Sequence, residues 1–252
     1  IVIFLAIITI ALYSFNQIIQ TGTEAIEKMM DFIYALLPVL LSLVAAVGGF
    51  ATAAVIHPIV LAGVSLLSNL IVSIVFPLIY LAAILVIANN ISEQFQIASL
   101  AKLMKEISLG ILGFFLTIFV GILSLQGVAS AMADGIGLRT AKFLTGNFVP
   151  VVGKVFSDAL ETMVGTTLLL KNAVSIIGAI AVVVICILPA VKIISMILIY
   201  RLAAALIQPF GEKKIGKTLE DLASILLVVF GAVASVGLMF FMVIGIAAGL
   251  GH

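Results

Sequence analysis

Charged positions divide this chain into long uncharged runs. Residues 32–92 contain no Asp, Glu, Lys or Arg, a run of 61, and 107–133, 172–191 and 222–251 give runs of 27, 20 and 30. A membrane-crossing helix needs roughly 20 consecutive apolar residues. Leu, Ile, Val, Ala and Gly fill these runs without strict alternation, which points to helices and not to the strands of an outer-membrane barrel. The expected fold class is all-α, a polytopic transmembrane helical bundle.

The polar punctuation predicts the order of elements. A first helix covers about residues 1–19, followed by an amphipathic segment, TGTEAIEKMMD, with Glu24, Glu27, Lys28 and Asp31. Helix A spans about 32–56 and ends near His57-Pro58. Helix B spans about 59–89 and bends near Pro77, because an interior proline loses a backbone hydrogen bond and clashes with the preceding turn. The stretch NNISEQFQIASLAKLMKE is read as an interfacial amphipathic helix or loop. Helix C covers about 107–131, and a polar link with Asp134, Arg139 and Lys142 follows. Helix A′ (148–170), helix B′ (172–200, bent near Pro189), the link RLAAALIQPFGEKKIGK and helix C′ (219–248) complete the chain. The chain opens on Ile1, which points to a longer precursor, and Ile1–Phe15 reads as the end of a spanning helix, since it lacks the basic start and cleavage site of a signal peptide.

An internal repeat is visible by arithmetic. Pro38 and Pro77 fall on Pro150 and Pro189 at an offset of 112, and KLMKEISLGIL falls on KTLEDLASILL at an offset of 115, pairing Lys102 with Lys217 and Glu106 with Asp221. Duplication of about 38–130 as 150–250 is one reading, and coincidence among apolar helices is the other. The implied organisation is a first helix and link (1–31), a first half-repeat (32–146) and a second (147–252), with Pro38, Pro77, Pro150 and Pro189 as hinges. With three crossings per half, the second half is inverted, as in many transporters. If A and A′ are re-entrant hairpins, the halves are parallel. The 201–217 link holds four Lys or Arg and is expected on the cytoplasmic side; under three crossings per half, 102–105 lies opposite it.

The two A helices differ in one respect. On a 3.6-residue helix, Lys154, Asp158, Glu161 and Gly165 fall within about 60° of one another. The equivalent face of helix A is Ser42, Ala46, Gly49 and Ala53, small and uncharged. Small residues at this spacing let helices approach closely, so that face is the candidate packing surface. Charges in hydrocarbon cost roughly 2.5–3.5 kcal/mol each on insertion scales. The A′ face must therefore line an aqueous path or oligomer lumen, lie in the interface against head groups, or form a buried structural network.

Composition narrows the chemistry. The chain is 64% hydrophobic and 9% charged, with a mean hydropathy of +1.44, so the lipid bilayer is its solvent. A net charge of +1 and no basic run beyond Lys213-Lys214 argue against nucleic acid as a partner. With one cysteine, Cys186, no internal disulfide can form. HExxH, GxSxG and phosphate-loop patterns are missing, and no paired catalytic aspartates are placed for facing helices, so the chain reads as non-enzymatic, with no cofactor and no metal. Energy from ATP would require another subunit.

Three blocks carry a resemblance: LLPVLLSLVAAVGGFATAAVIHP, FVPVVGKVFSDALETMVGTTLLLKNAVSIIG and ILPAVKIISMILIYRLAAALIQPFGEKKIGKTLEDLA. With them the chain resembles the stage III sporulation protein AE family over essentially its whole length. The resemblance implies a subunit of the mother cell–forespore channel or secretion-like complex, in the mother-cell membrane around the forespore. Implied partners are the other membrane subunits of the sporulation A-operon complex, including an ATPase in trans. A channel-forming or export-gate role, with or without homo-oligomerisation, is the expectation. A secondary transporter with inverted repeats and a membrane assembly scaffold are the alternatives. The family supplies no catalytic residues to carry over.

Overall fold

A computed structural model describes the chain except residues 1, 48, 92–96, 149–151, 211–212 and 250–252; side chains are described outside these and outside 2–5, 51–52, 55–56, 91 and 126–163. The described residues form helices α1 (Val2–Ala46), α2 (Phe50–Leu70), α3 (Phe76–Ile91), α4 (Ala98–Phe148), α5 (Val152–Ile207) and α6 (Lys213–Gly249), with a π-helical turn, Ile71–Val75, joining α2 to α3 and a short 3₁₀ turn, Gln208–Phe210, after α5. No strand occurs among them. Five helical stretches are long and apolar enough to cross a membrane: Ala6–Ala46, His57–Asn90, Ala98–Leu125, Val164–Phe210 and Lys213–Gly249.

Several expected breaks are not there. The first helix, the amphipathic link and most of helix A are one helix, α1. Glu24, Glu27, Lys28 and Asp31 fall at i, i+3, i+4 and i+7, so they share one exposed face, while Ala25, Ile26, Met29 and Ile33 keep the buried face apolar without interruption. A cluster of charges on one side does not end a helix. The break falls between the end of α1 at Ala46 and the start of α2 at Phe50, where the Gly49 amide donates to the Val44 carbonyl at 3.0 Å, and not at His57-Pro58; Pro58 lies inside α2. Helix C and the link with Asp134, Arg139 and Lys142 are one helix, α4. Most of A′ and all of B′ are one helix, α5, with Pro189 inside it.

The prolines act unequally. Pro77 directly follows the π-helical turn, whose wider ring makes room for the missing amide and the pyrrolidine. Pro38 sits inside α1, and the Ser42 hydroxyl donates to its carbonyl at 2.7 Å.

Two compact units form, 1–29 with 66–117 and 184–237, and 30–65 with 118–183 and 238–252. Each unit draws on both of the expected halves, 32–146 and 147–252. In the first unit, Phe15, Ile71, Ile79, Ile193, Leu222, Leu226 and Val233 are buried. Gly22 lets α1 approach closely: a Cβ there would stand 3.1 Å from the Phe76 ring and 3.2 Å from Val229. The buried Tyr200 hydroxyl of α5 donates to the Ala11 carbonyl of α1 at 2.6 Å. In the second unit, Ile33, Leu37, Leu40, Val64, Phe119, Met239 and Phe240 form the core. There Gly63 of α2 admits the Phe119 ring of α4, 2.7 Å from where its Cβ would be, and Tyr34 hydrogen-bonds Ser65 at 2.5 Å.

The first unit also brings the matched segments of the repeat together. Lys102 and Lys105, near the start of α4, line one cleft with Lys217 and Asp221, near the start of α6. The segments matched at an offset of 115 therefore meet at their charged starts, and 102–105 stands beside Lys217, not opposite it.

Two substitutions test these contacts by thermal or SDS-driven unfolding in micelles. Gly63→Leu forces the Phe119 ring aside and is expected to cost about 1–3 kcal/mol. Tyr200→Phe removes one buried hydrogen bond and is expected to cost about 1 kcal/mol. An unchanged Gly63→Leu would mean that α2 and α4 do not meet there.

Candidate functional site

A helix that meets lipid on its outer side should be apolar there, and among the described residues 107–125 of α4 and 169–202 of α5 are largely so, with Lys192 and Arg201 as exposed exceptions. Phe114, Ile118, Ile122 and Leu125 of α4 are exposed, as are Ile177, Ile180, Val184, Leu188, Leu198 and Leu202 of α5. Helix α1 breaks this rule. Its exposed positions include Tyr13, Asn16, Gln17, Gln20, Glu24, Glu27 and Lys28 in the first unit, and Asp31, Pro38, Ser42 and Ala46 in the second, beside the apolar Ile10, Tyr34 and Val39. On a 3.6-residue helix Tyr13, Gln17, Gln20, Glu24, Lys28, Asp31, Pro38 and Ser42 stay within about 80° of one another. The opposite face is Ala11, Phe15, Ile18, Ala25, Ile26, Met29, Ile33, Leu37 and Leu40, all buried.

The stripe is only loosely satisfied by its own chain. The Gln17 amide donates to the Tyr13 hydroxyl at 3.2 Å, and Thr21 donates to the Gln17 carbonyl at 2.9 Å. Among the described residues Lys28 makes no ion pair with Glu24 or Asp31. Three carboxylates and one ammonium leave a net negative charge on the stripe. Such a face cannot rest against hydrocarbon cheaply; it fits water or a polar partner.

The sequence-predicted site residues fall differently. Lys154, Asp158 and Glu161 belong to the backbone of α5, but their side chains lie outside the described residues, and Pro150 lies wholly outside them. Gly165 is exposed, with no atom within 4 Å of where its Cβ would be. Lys171, one residue past the predicted end of A′, is fully buried in the interior of α5. The packing face Ser42, Ala46, Gly49 and Ala53 does not exist as one surface within the chain. Ser42 and Ala46 lie on α1, both exposed, Gly49 lies between the two helices, buried, and Ala53 lies on α2. Packing along that part of α1 is done by Leu37, Leu40, Leu41 and Val44.

The register of the predicted A′ face does continue into described structure. Five turns beyond Lys154 lies Asn172, and Ile176 and Ala179 follow on the same side. These three and Ser175 line a cleft of about 470 Å³ against Ile244 and Gly245 of α6, within the second unit. The Ser175 hydroxyl is buried there without a hydrogen-bond partner among the described residues. No cluster of His, Cys, Asp or Glu fit to hold a metal ion occurs among the described residues. Sequence reasoning missed the α1 stripe because it cut the chain at residue 19; the recurrence of Gln17, Gln20, Glu24, Lys28 and Asp31 every three or four positions was the available signal.

The family model described as "Stage III sporulation protein AE" matches residues 1–251. A curated protein of Bacillus subtilis (strain 168), "Stage III sporulation protein AE", is 45% identical over 241 residues. That alignment covers 96% of this chain and 60% of the relative, so the chain spans well under two thirds of its relative's length. No solved structure matches.

If the α1 stripe serves something outside the chain, neutralising it should leave the isolated fold intact. Glu24→Gln, Glu27→Gln and Asp31→Asn are each expected to change unfolding free energy in micelles by less than about 0.5 kcal/mol, as for other exposed positions. A loss of several kcal/mol would make these carboxylates structural.

Proposed function

Because the chain belongs to the stage III sporulation protein AE family, we propose that it is a non-enzymatic, channel-forming or export-gate subunit of the mother cell–forespore complex needed for sporulation. The observation that supports this most is the row of exposed polar and charged side chains along α1, beside helices α4 and α5 whose described outer positions are largely apolar away from their ends. A secondary transporter keeps its polar groups inward, around a closed site between its repeats. The polar stripe of α1 instead lies on the side of the helix away from its buried face, which is the arrangement of a subunit that completes a water-filled path only on assembly. Carboxylates at Glu24, Glu27 and Asp31 would give that path an acidic lining, favouring cations and basic or polar cargo.

In this reading the apolar outer faces of α4 and α5 meet lipid, in the mother-cell membrane around the forespore. Copies of this chain or the other A-operon membrane subunits stand against α1. The charged register of α5, Lys154, Asp158, Glu161 and Gly165, forms a second stretch of the same path or contacts a partner. An ATPase in trans supplies energy, since no nucleotide-binding pattern is found in the sequence.

Cysteine accessibility in sporulating membranes tests the reading. With Cys186 replaced by Ala, single cysteines at 17, 20, 24, 28, 31 and 42, and at 154, 158, 161 and 165, are treated with a charged, membrane-impermeant thiol reagent. The α1 positions are expected to react through the full depth of the helix, whereas cysteines at Ile177 and Leu188 on the lipid side of α5 stay protected. Protection of α1 that is lifted only when other subunits are absent would instead make the stripe a docking surface of a scaffold.

A further inference from the structure

The cleft in the first unit gathers charge from two separate places in the sequence. Its lining includes Asn89 near the end of α3, Lys102 and Lys105 of α4, and Lys217, Asp221 and Ser224 of α6, around about 330 Å³. The Lys105 ammonium donates to the Ser224 hydroxyl at 2.5 Å, which fixes its position and leaves two N–H groups. The Lys102 ammonium stands 3.6 Å from Glu106 in an exposed pair, a contact of little net strength that an incoming anion can displace. Asp221 shares the lining with Lys217 and Lys105 and lies within electrostatic range of both. The Asn89 carbonyl oxygen accepts from the Ala98 amide at 3.1 Å, at the start of α4, leaving its NH₂ group as the remaining donor. Three ammoniums against one carboxylate make the lining net positive, and the N-terminus of α4 adds to that sign.

Its place along the chain narrows the anion. Glu106 is followed by 27 uncharged residues and Asp221 by 30. The apolar stretch His57–Asn90 ends at this cleft, and Ala98–Leu125 and Lys213–Gly249 begin at it. The charges thus sit where three crossings meet the head-group layer. Exposed Leu100, Leu103 and Ile107 lie beside it on α4, offering apolar surface to acyl chains. We infer that this cleft binds the phosphate of an anionic phospholipid head group, with Lys102, Lys105 and Lys217 as its cationic ligands and Asn89 and Ser224 as hydrogen-bonding neighbours. Such a lipid would tie the starts of α4 and α6 together and set the depth of the subunit in the bilayer.

Native mass spectrometry of the full chain in mild detergent tests this, with dioleoylphosphatidylglycerol, dioleoylphosphatidylcholine and inorganic phosphate as probes. One basic residue near an anionic head group is worth about fivefold in affinity, so three are worth on the order of a hundredfold. Lys102→Gln, Lys105→Gln and Lys217→Gln combined should weaken phosphatidylglycerol binding on that scale. Lys192→Gln, an exposed lysine elsewhere, should leave it within about twofold. The corresponding triple arginine variant should retain it, which separates lost charge from lost fold. Phosphatidylglycerol bound in preference to phosphatidylcholine and not displaced by millimolar inorganic phosphate supports the lipid assignment. Displacement by inorganic phosphate overturns the lipid and makes the cleft a site for free phosphate. Equal retention of both lipids, or full retention by the glutamine variant, overturns the site.

Discussion

The constraint on which the rest depends is that hydrocarbon does not accept an unpaired charge. A chain with so few charged residues has freedom about where helices pack, but very little about where its charges go. Each charged group must find water, a head group or a partner. In this molecule they sort into an outward stripe on α1, a cleft at the starts of α4 and α6, and a register on the early part of α5. The uncharged remainder is solved by ordinary close packing. Gly22 and Gly63 remove side chains where an aromatic ring from another helix must fit, and Tyr200 spends its hydroxyl on a backbone carbonyl of α1.

Helix length follows from the same sorting. At about 1.5 Å per residue, the 45 residues of α1 extend roughly twice the thickness of a hydrocarbon core. A helix that long can carry charge at its middle only if one side stays apolar for its partners and the other is polar along much of its length. Met29 and Ile33 on one side, and Lys28 and Asp31 on the other, show both conditions met within a single turn or so. The inner face stabilises the unit it packs in, and the outer face is left for whatever the subunit assembles around.

What could be read from sequence depended on whether a signal was local or periodic. Helical membrane character was legible because uncharged runs such as 32–92 and 222–251 allow little else. A departure from regular α-helix before Pro77 was legible because proline acts on its own preceding turn. Helix boundaries were not. Charges at 24–31 and at 134–142 looked like links, yet charge interrupts a helix only when it falls on the face that must be buried, and one-dimensional punctuation does not show faces. The sequence between Ala46 and Phe50 carries no charged or polar side chain, so nothing in it marks that Ser42 and Ala53 lie on different helices.

The KLMKE and KTLED segments match at an offset of 115 and lie far apart along the chain. The fold brings their charged starts together, so that Lys102, Lys105 and Lys217 meet in one cleft. Like charges brought together on one wall repel, and two acidic neighbours, Glu106 and Asp221, temper that repulsion without cancelling it. A residual positive charge concentrated at the ends of three apolar crossings is a cost to the isolated chain that an anion from the surroundings removes. The meeting of the two matched segments and the net positive charge of the cleft thus have a common origin in the packing of the starts of α4 and α6.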